Sequence, residues 1–168
     1  MSASSNIFAL LLSVGLLLAS ATALAAGEHQ GGHHAAASTQ QKTWGIAGDS
    51  QRVSRTIEIS MNDQMRFSPD QLEVKQGETI RFIHRNEGQV MHEFVLGTQA
   101  ELQEHAAMMA QSAGMPMQHD SPDMTHVAPG QREELVWTFN QVGEFDFACL
   151  IPGHYQAGMV GKVRVLAN

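Results

Sequence analysis

A single cysteine in 168 residues cannot close an intrachain disulfide, complete a four-thiolate zinc site or hold an iron–sulfur cluster. Whatever chemistry that thiol performs uses mixed ligands or redox. Positive charge is also scarce: ten Lys and Arg against seventeen Asp and Glu leave a formal charge of −7, with no basic run. That balance excludes a surface built to neutralise phosphates, so no nucleic-acid partner is expected. Aromatic residues make up 6% of the chain and charged residues 16%, and neither a collagenous nor a coiled-coil composition is present. The apolar run Ile7 to Leu18, about a dozen residues, is too short to cross a bilayer, and no later segment approaches that length.

What the chain does have begins with that short run. It is followed by Ala23-Leu24-Ala25, the small-residue pattern of a signal-peptidase site, so residues 1–26 are expected to be an export signal with cleavage after Ala25 or Ala26. The n-region, Met1 to Asn6, carries no Lys or Arg, which makes a membrane anchor the rival reading. Export implies a periplasmic product with no membrane segment in its mature form. Residues 27–51 are expected to be a His-containing leader, rich to about Gln41 in Gly, Ala, Ser, Gln and His and with little to bury.

From residue 52 to 168 the texture is that of one β domain. Val53, Ile57, Ile59 and Met61 include the spaced apolar residues of a strand, and Leu72-Glu-Val74 runs into a Lys-Gln-Gly-Glu turn. Further short strands are expected at Thr79 to Arg85, Glu93 to Leu96, Glu134 to Phe139, Glu144 to Cys149 and Gly158 to Leu166. Leu135/Trp137/Phe139 and Phe145/Phe147/Cys149 alternate with period two, the pattern of a sheet buried on one face. The fold class is therefore all-β, an antiparallel β-sandwich. One stretch departs from it. Ala100 to Gln111 favours a helix by propensity, and the Gly- and Pro-broken Ser112 to Asp123 reads as loop, so an insertion spans about residues 99–126.

The chemistry gathers near the C-terminus, in Cys149-Leu-Ile-Pro-Gly-His154-Tyr-Gln-Ala-Gly-Met159. A strand would present Cys149, a Pro-Gly turn would return His154 beside it, and a second Gly turn would bring Met159 to the same point. A thiolate, an imidazole and a thioether together select copper, since zinc prefers more Cys or His and hard cations want oxygen. The set needs another imidazole, best supplied by His92 at the head of Glu93-Phe-Val-Leu96. His84 competes for that place but lies within a strand rather than at its end. Two imidazoles and a thiolate about the ion, with a weak axial thioether, make a one-electron site.

These residues resemble the cupredoxins, the blue-copper family of plastocyanin, azurin and rusticyanin. The resemblance rests on Met65-Arg-Phe-Ser-Pro69 leading to Leu72-Glu-Val-Lys-Gln-Gly-Glu-Thr79, on Met91-His92-Glu-Phe-Val, and on Phe145-Asp-Phe-Ala-Cys149 with His154 and Met159. It covers about residues 52–167. It implies a Greek-key sandwich and one type 1 copper held by His92, Cys149, His154 and Met159. A Cys alone at a strand end is usually a small buried hydrophobe and a lone Met is usually core filler. It is their joint occurrence in one loop that outweighs this.

The insertion interleaves Met108, Met109, Met115, Met117 and Met124 with His105, His119 and His126, and the leader adds His29, His33 and His34. Thioethers take cuprous ion and imidazoles take either oxidation state. Additional copper ions are therefore expected at Met115, Met117 and His119, with Met108, Met109, Met124, His126 and the leader histidines as further candidates. Packing of Met108 and Met109 against the sandwich and simple solvation of His119, His126 and the leader histidines are the alternatives. Two functions follow: a copper-tolerance protein, similar to the copper-tolerance members of the family, or a small electron carrier. The expected partners are copper ions and either a periplasmic redox protein or a copper exporter. No enzymatic activity is expected, because multicopper oxidases and nitrite reductases need further histidine sets between domains.

Overall fold

A computed structural model describes residues 40–111 and 121–168. The expected export signal, the leader histidines His29, His33 and His34, and the loop residues Met115, Met117 and His119 lie outside the described residues. The elements run β1 (Ile46–Ala47), β2 (Arg55–Asn62), β3 (Arg66–Ser68), β4 (Gln71–Lys75), β5 (Thr79–Asn86), β6 (His92–Gly97), α1 (Gln99–Gln111), β7 (Met124–Val127), β8 (Arg132–Thr138), β9 (Gly143–Ala148) and β10 (Val160–Leu166). One sheet has the order β1-β8-β5-β2-β3 and the other β4-β10-β9-β6-β7. Together they form the Greek-key sandwich that the sequence pattern implies.

Alternation builds the interior. Ile59 and Met61 of β2, Leu72 and Val74 of β4, Leu135 and Trp137 of β8, Phe145 and Phe147 of β9 and Val163 and Val165 of β10 all point inward. At the centre Phe94 meets Phe147 stacked at 5.0 Å and Phe67 edge-on at 6.0 Å, while Phe67 meets Phe147 at 5.1 Å. Offset and T-shaped contacts of this kind add to the area buried. This cluster forms the floor beneath the copper-ligand candidates.

The structure corrects four details. The pairing is not wholly antiparallel: β2 runs parallel to β5 and β4 parallel to β10. After β4 the chain crosses to the other sheet instead of turning back, so no hairpin partner is available and a non-sequential strand takes the place. Second, the domain begins before residue 52. Trp44 is buried, Trp137 donates its Nε1–H to the Trp44 carbonyl at 3.0 Å, and β1 pairs with β8. Third, β3 is too short to show a period. Fourth, the insertion ends before Met124, because Met124–Val127 pairs antiparallel with β6 as an edge strand.

The helix forms where expected. Thr98 and Glu101 make a reciprocal N-terminal cap: the Glu101 N–H donates to Thr98 Oγ1 at 3.3 Å, and the Thr98 N–H to Glu101 Oε2 at 3.4 Å. Leu102 and Ala106 then pack onto Val95, Ala148 and Leu150 on the outer side of β6 and β9. Every residue of β6 is consequently buried. His92, Phe94 and Leu96 face the sandwich interior, while Glu93 and Val95 face the outside.

Candidate metal centre

The end of β9 and the start of β10 remain paired beyond the strands themselves. Cys149 donates its N–H to the Met159 carbonyl at 3.1 Å, and Met159 donates to the His154 carbonyl at 3.1 Å. The loop between them is closed by two turns whose glycines, Gly153 and Gly158, have φ of +93° and +90°. Only glycine takes that left-handed backbone readily, which explains why each stands just before a ligand candidate. Arg66 braces the same loop by donating Nη1–H to the Ala157 carbonyl at 2.9 Å.

His92 enters from β6. One ligand atom from each of His92, Cys149 and His154 lies within 4.8 Å of the other two. Cys149 Sγ is 3.3 Å from His154 Nδ1, and the two imidazole centroids are 5.1 Å apart with planes inclined at 54°. Cys149, His92 and Met159 are fully buried, and His154 is half-buried. The structure thus brings three of the predicted ligands together and folds the Met159 backbone against Cys149 and His154. His84 is not in the group. It sits on the core side of β5, stacked on Phe94 at 4.1 Å, with Nδ1 2.8 Å from Thr125 Oγ1.

The cluster is poorly satisfied as a purely organic site. Among the described residues, neither ring nitrogen of His92 has a hydrogen-bond partner, although both are buried, and such atoms cost free energy unless something binds them. Burial pushes the Cys149 thiol up to about 12, against the opposing backbone N–H groups of Glu93 and Ile151. Burial also lowers the pKa of His92, against the pull of Asp63, and that of His154, where His92 adds to the effect. Neutral imidazoles are what a metal needs, and a bound cation reverses the penalty on the thiolate by displacing its proton. The donor set fits copper and fits hard cations badly.

Two residues that the sequence did not single out support this group. Glu93 donates its backbone N–H to Cys149 Sγ at 3.3 Å. Asp63, in the β2–β3 turn, places Oδ1 3.6 Å from His92 Nε2 and accepts the Gln89 N–H at 2.9 Å. That backbone donor is the main reason its carboxyl pKa is lowered. A Cβ on Gly88 would run into this carboxylate, so glycine there permits the close approach. Each acts through a partner distant in sequence, so its role does not show in the residues around it.

Among the described residues, Met108, Met109, Met124 and His126 are not part of this group. Met108 is exposed on α1. Met109 and Met124 pack against the cluster beneath the helix, and His126 pairs with Glu93 on the outer face.

A two-sheet fold with a His–Cys–His cluster at one end is the architecture of a single-domain copper protein, and the comparisons agree. Residues 53–166 match the family of copper binding proteins described as plastocyanin/azurin. The chain belongs to that family, and copper is its cofactor. Over 158 residues it is 46% identical to the copper-resistant cuproprotein CopI of Rubrivivax gelatinosus, spanning 92% of this chain and 94% of the relative. It is 39% identical to the protein of the same name from Pseudomonas aeruginosa over 151 residues, 74% of this chain and 83% of that one. Among solved structures, a reduced auracyanin from Roseiflexus castenholzii superposes with a TM-score of 0.57 at 25% identity, covering 68% of this chain and 98% of that chain. Auracyanin B gives 0.60 at 21% identity, covering 73% and 96%, and supports the fold alone.

The position of Asp63 leads to a prediction. A carboxylate facing the outer nitrogen of a ligating histidine fixes its tautomer and orientation. Asp63→Asn is expected to weaken copper retention about 10- to 100-fold, the range for outer partners, and to shift the visible band. Competition against a chromophoric chelator checks this. An unchanged affinity and spectrum would limit Asp63 to tethering the loop at Gln89.

Proposed function

We propose that the chain is a periplasmic type 1 copper protein acting in copper tolerance, with His92, Cys149 and His154 as the principal ligands and Met159 as a weak axial one. The observation that carries this reading is the convergence of two imidazoles and one buried thiol within 4.8 Å at the end of the sandwich. Its support is the similarity to CopI proteins over 92% of the chain. Met159 enters because its fully buried residue is hydrogen-bonded through the backbone to both Cys149 and His154. Bound copper supplies a one-electron couple there. The protein's own part is to hold the ligands in place, exclude water from Cys149 and keep the imidazoles neutral. It is a binding protein rather than an enzyme, and its Met and His segments take up further copper. Periplasmic export rests on the short apolar run and the small residues at Ala23 and Ala25.

An electron-carrier reading has its own observation in favour. Val90, Met91 and Val160, which flank His92 and Met159 in the chain, are exposed large apolar residues available to a docking partner. Disrupting the gene separates the two. Growth inhibition at copper concentrations that the parent tolerates is expected for a tolerance protein. Loss of a respiratory activity with normal copper tolerance would establish the carrier instead.

A further inference from the structure

The outer face of β6 and β7 carries a donor group that the first copper centre does not use. Glu93 stands directly opposite His126 in the β6–β7 register, and His126 Nε2 lies 3.0 Å from Glu93 Oε1. The Glu93 side chain is 4% exposed and that of His126 is 31% exposed. A carboxylate buried to this extent is costly without a positive or hydrogen-bonding partner, and the imidazole covers it from the solvent side. Two such donors held at about 2.0–2.2 Å from one metal ion lie roughly 3 Å apart when the angle between them is near 90°. The pair therefore already has the span of two ligands.

A sulfur-bearing residue shares that face of β7. Met124 precedes His126 by two residues, so both side chains leave the same face of β7. It pairs with Val95 and packs, as Met109 does, against the cluster beneath α1. Imidazole with carboxylate suits cupric ion, and a neighbouring thioether holds copper when it is reduced. Calcium or magnesium would ask for an all-oxygen shell instead.

We propose that His126 and Glu93, with Met124 beside them, form a second copper-binding site on the outer face of the β6–β7 pair, back to back with the first. Alternation along β6 turns His92 inward and Glu93 outward, so the two sites use adjacent residues of one strand. The Glu93 N–H to Cys149 Sγ contact joins them through the backbone. The half-exposed His126 admits the ion without any opening of the His92–Cys149–His154 centre. This site deepens the tolerance reading by giving surplus copper a defined place.

The intact protein, already holding one copper per chain, is titrated with cupric ion. After excess metal is removed, bound copper is counted and its paramagnetic resonance recorded. A second signal with ordinary nitrogen and oxygen ligation is expected beside the type 1 signal. His126→Gln, which keeps a hydrogen-bond partner for Glu93 but removes the imidazole, is expected to lower bound copper by one ion per chain with the visible band unchanged. Met124→Leu, close in volume, is expected to weaken retention of the second ion under reducing conditions about tenfold. Equal copper content in the parent and both variants would overturn the proposal and leave Glu93–His126 as an ordinary cross-strand ion pair. That result would still show the type 1 band, whereas failure of the underlying copper-protein reading would remove the band itself.

Discussion

Cys149→Ser is expected to abolish the intense thiolate-to-copper absorption of the copper-loaded protein. It should also weaken copper binding by more than the roughly 10- to 100-fold that loss of an outer partner costs. The thiol is the soft donor of the His92–Cys149–His154 group and is fully buried. A serine hydroxyl in its place is a poor ligand for cuprous ion, although it can still accept the Glu93 N–H that now points at Sγ. The fold should therefore survive the change. Visible absorption and metal content measured on the same samples check both halves. A colourless loaded parent, or a variant that keeps the band, would remove the type 1 assignment.

Acid stability should depend strongly on His84. Burial pushes its pKa down from 6.5 to about 3. Between those values the unfolded chain binds a proton that the folded chain refuses, so stability rises with pH and is lost on acidification. The loss approaches about 1.4 kcal/mol for each pH unit below roughly 6, and it is complete only near pH 3. His84 stacks on Phe94 and lies parallel to Phe82 at 5.9 Å, so His84→Phe keeps a ring in the stack while removing the titration. The variant gives up the Thr125 contact, which should lower its stability at neutral pH. Urea unfolding at pH 7 and pH 4.5 is expected to show a smaller acid loss in the variant than in the parent. Equal losses would place the acid sensitivity in other groups, the histidines His92 and His154 among them.

Much of this architecture was legible from local pattern. The period-two runs at Leu135/Trp137 and Phe145/Phe147 become β8 and β9, and the Ala100-to-Gln111 propensities become a capped helix. The two glycine turns that close the ligand loop follow from chemistry visible within eleven residues. β6 shows no alternation because both of its faces are covered, the outer one by α1 over Val95 and by His126 over Glu93. The roles of Asp63 and Glu93 are not visible in local pattern, although Glu93 stands beside His92 in the Met91-His92-Glu-Phe-Val element. Each acts by meeting a residue that sequence distance hides, His92 and Gln89 for one, His126 and Cys149 for the other. Met124 and His126 were placed in the insertion because a four-residue edge strand is too short to reveal its period.

The helix laid over β6 and β9 is part of what keeps the sandwich covered, not an ornament on it. Trimming residues 99–111 to obtain a minimal copper domain would uncover Val95, Ala148 and Leu150 together, a greasy strip beside an edge strand and therefore an invitation to self-association.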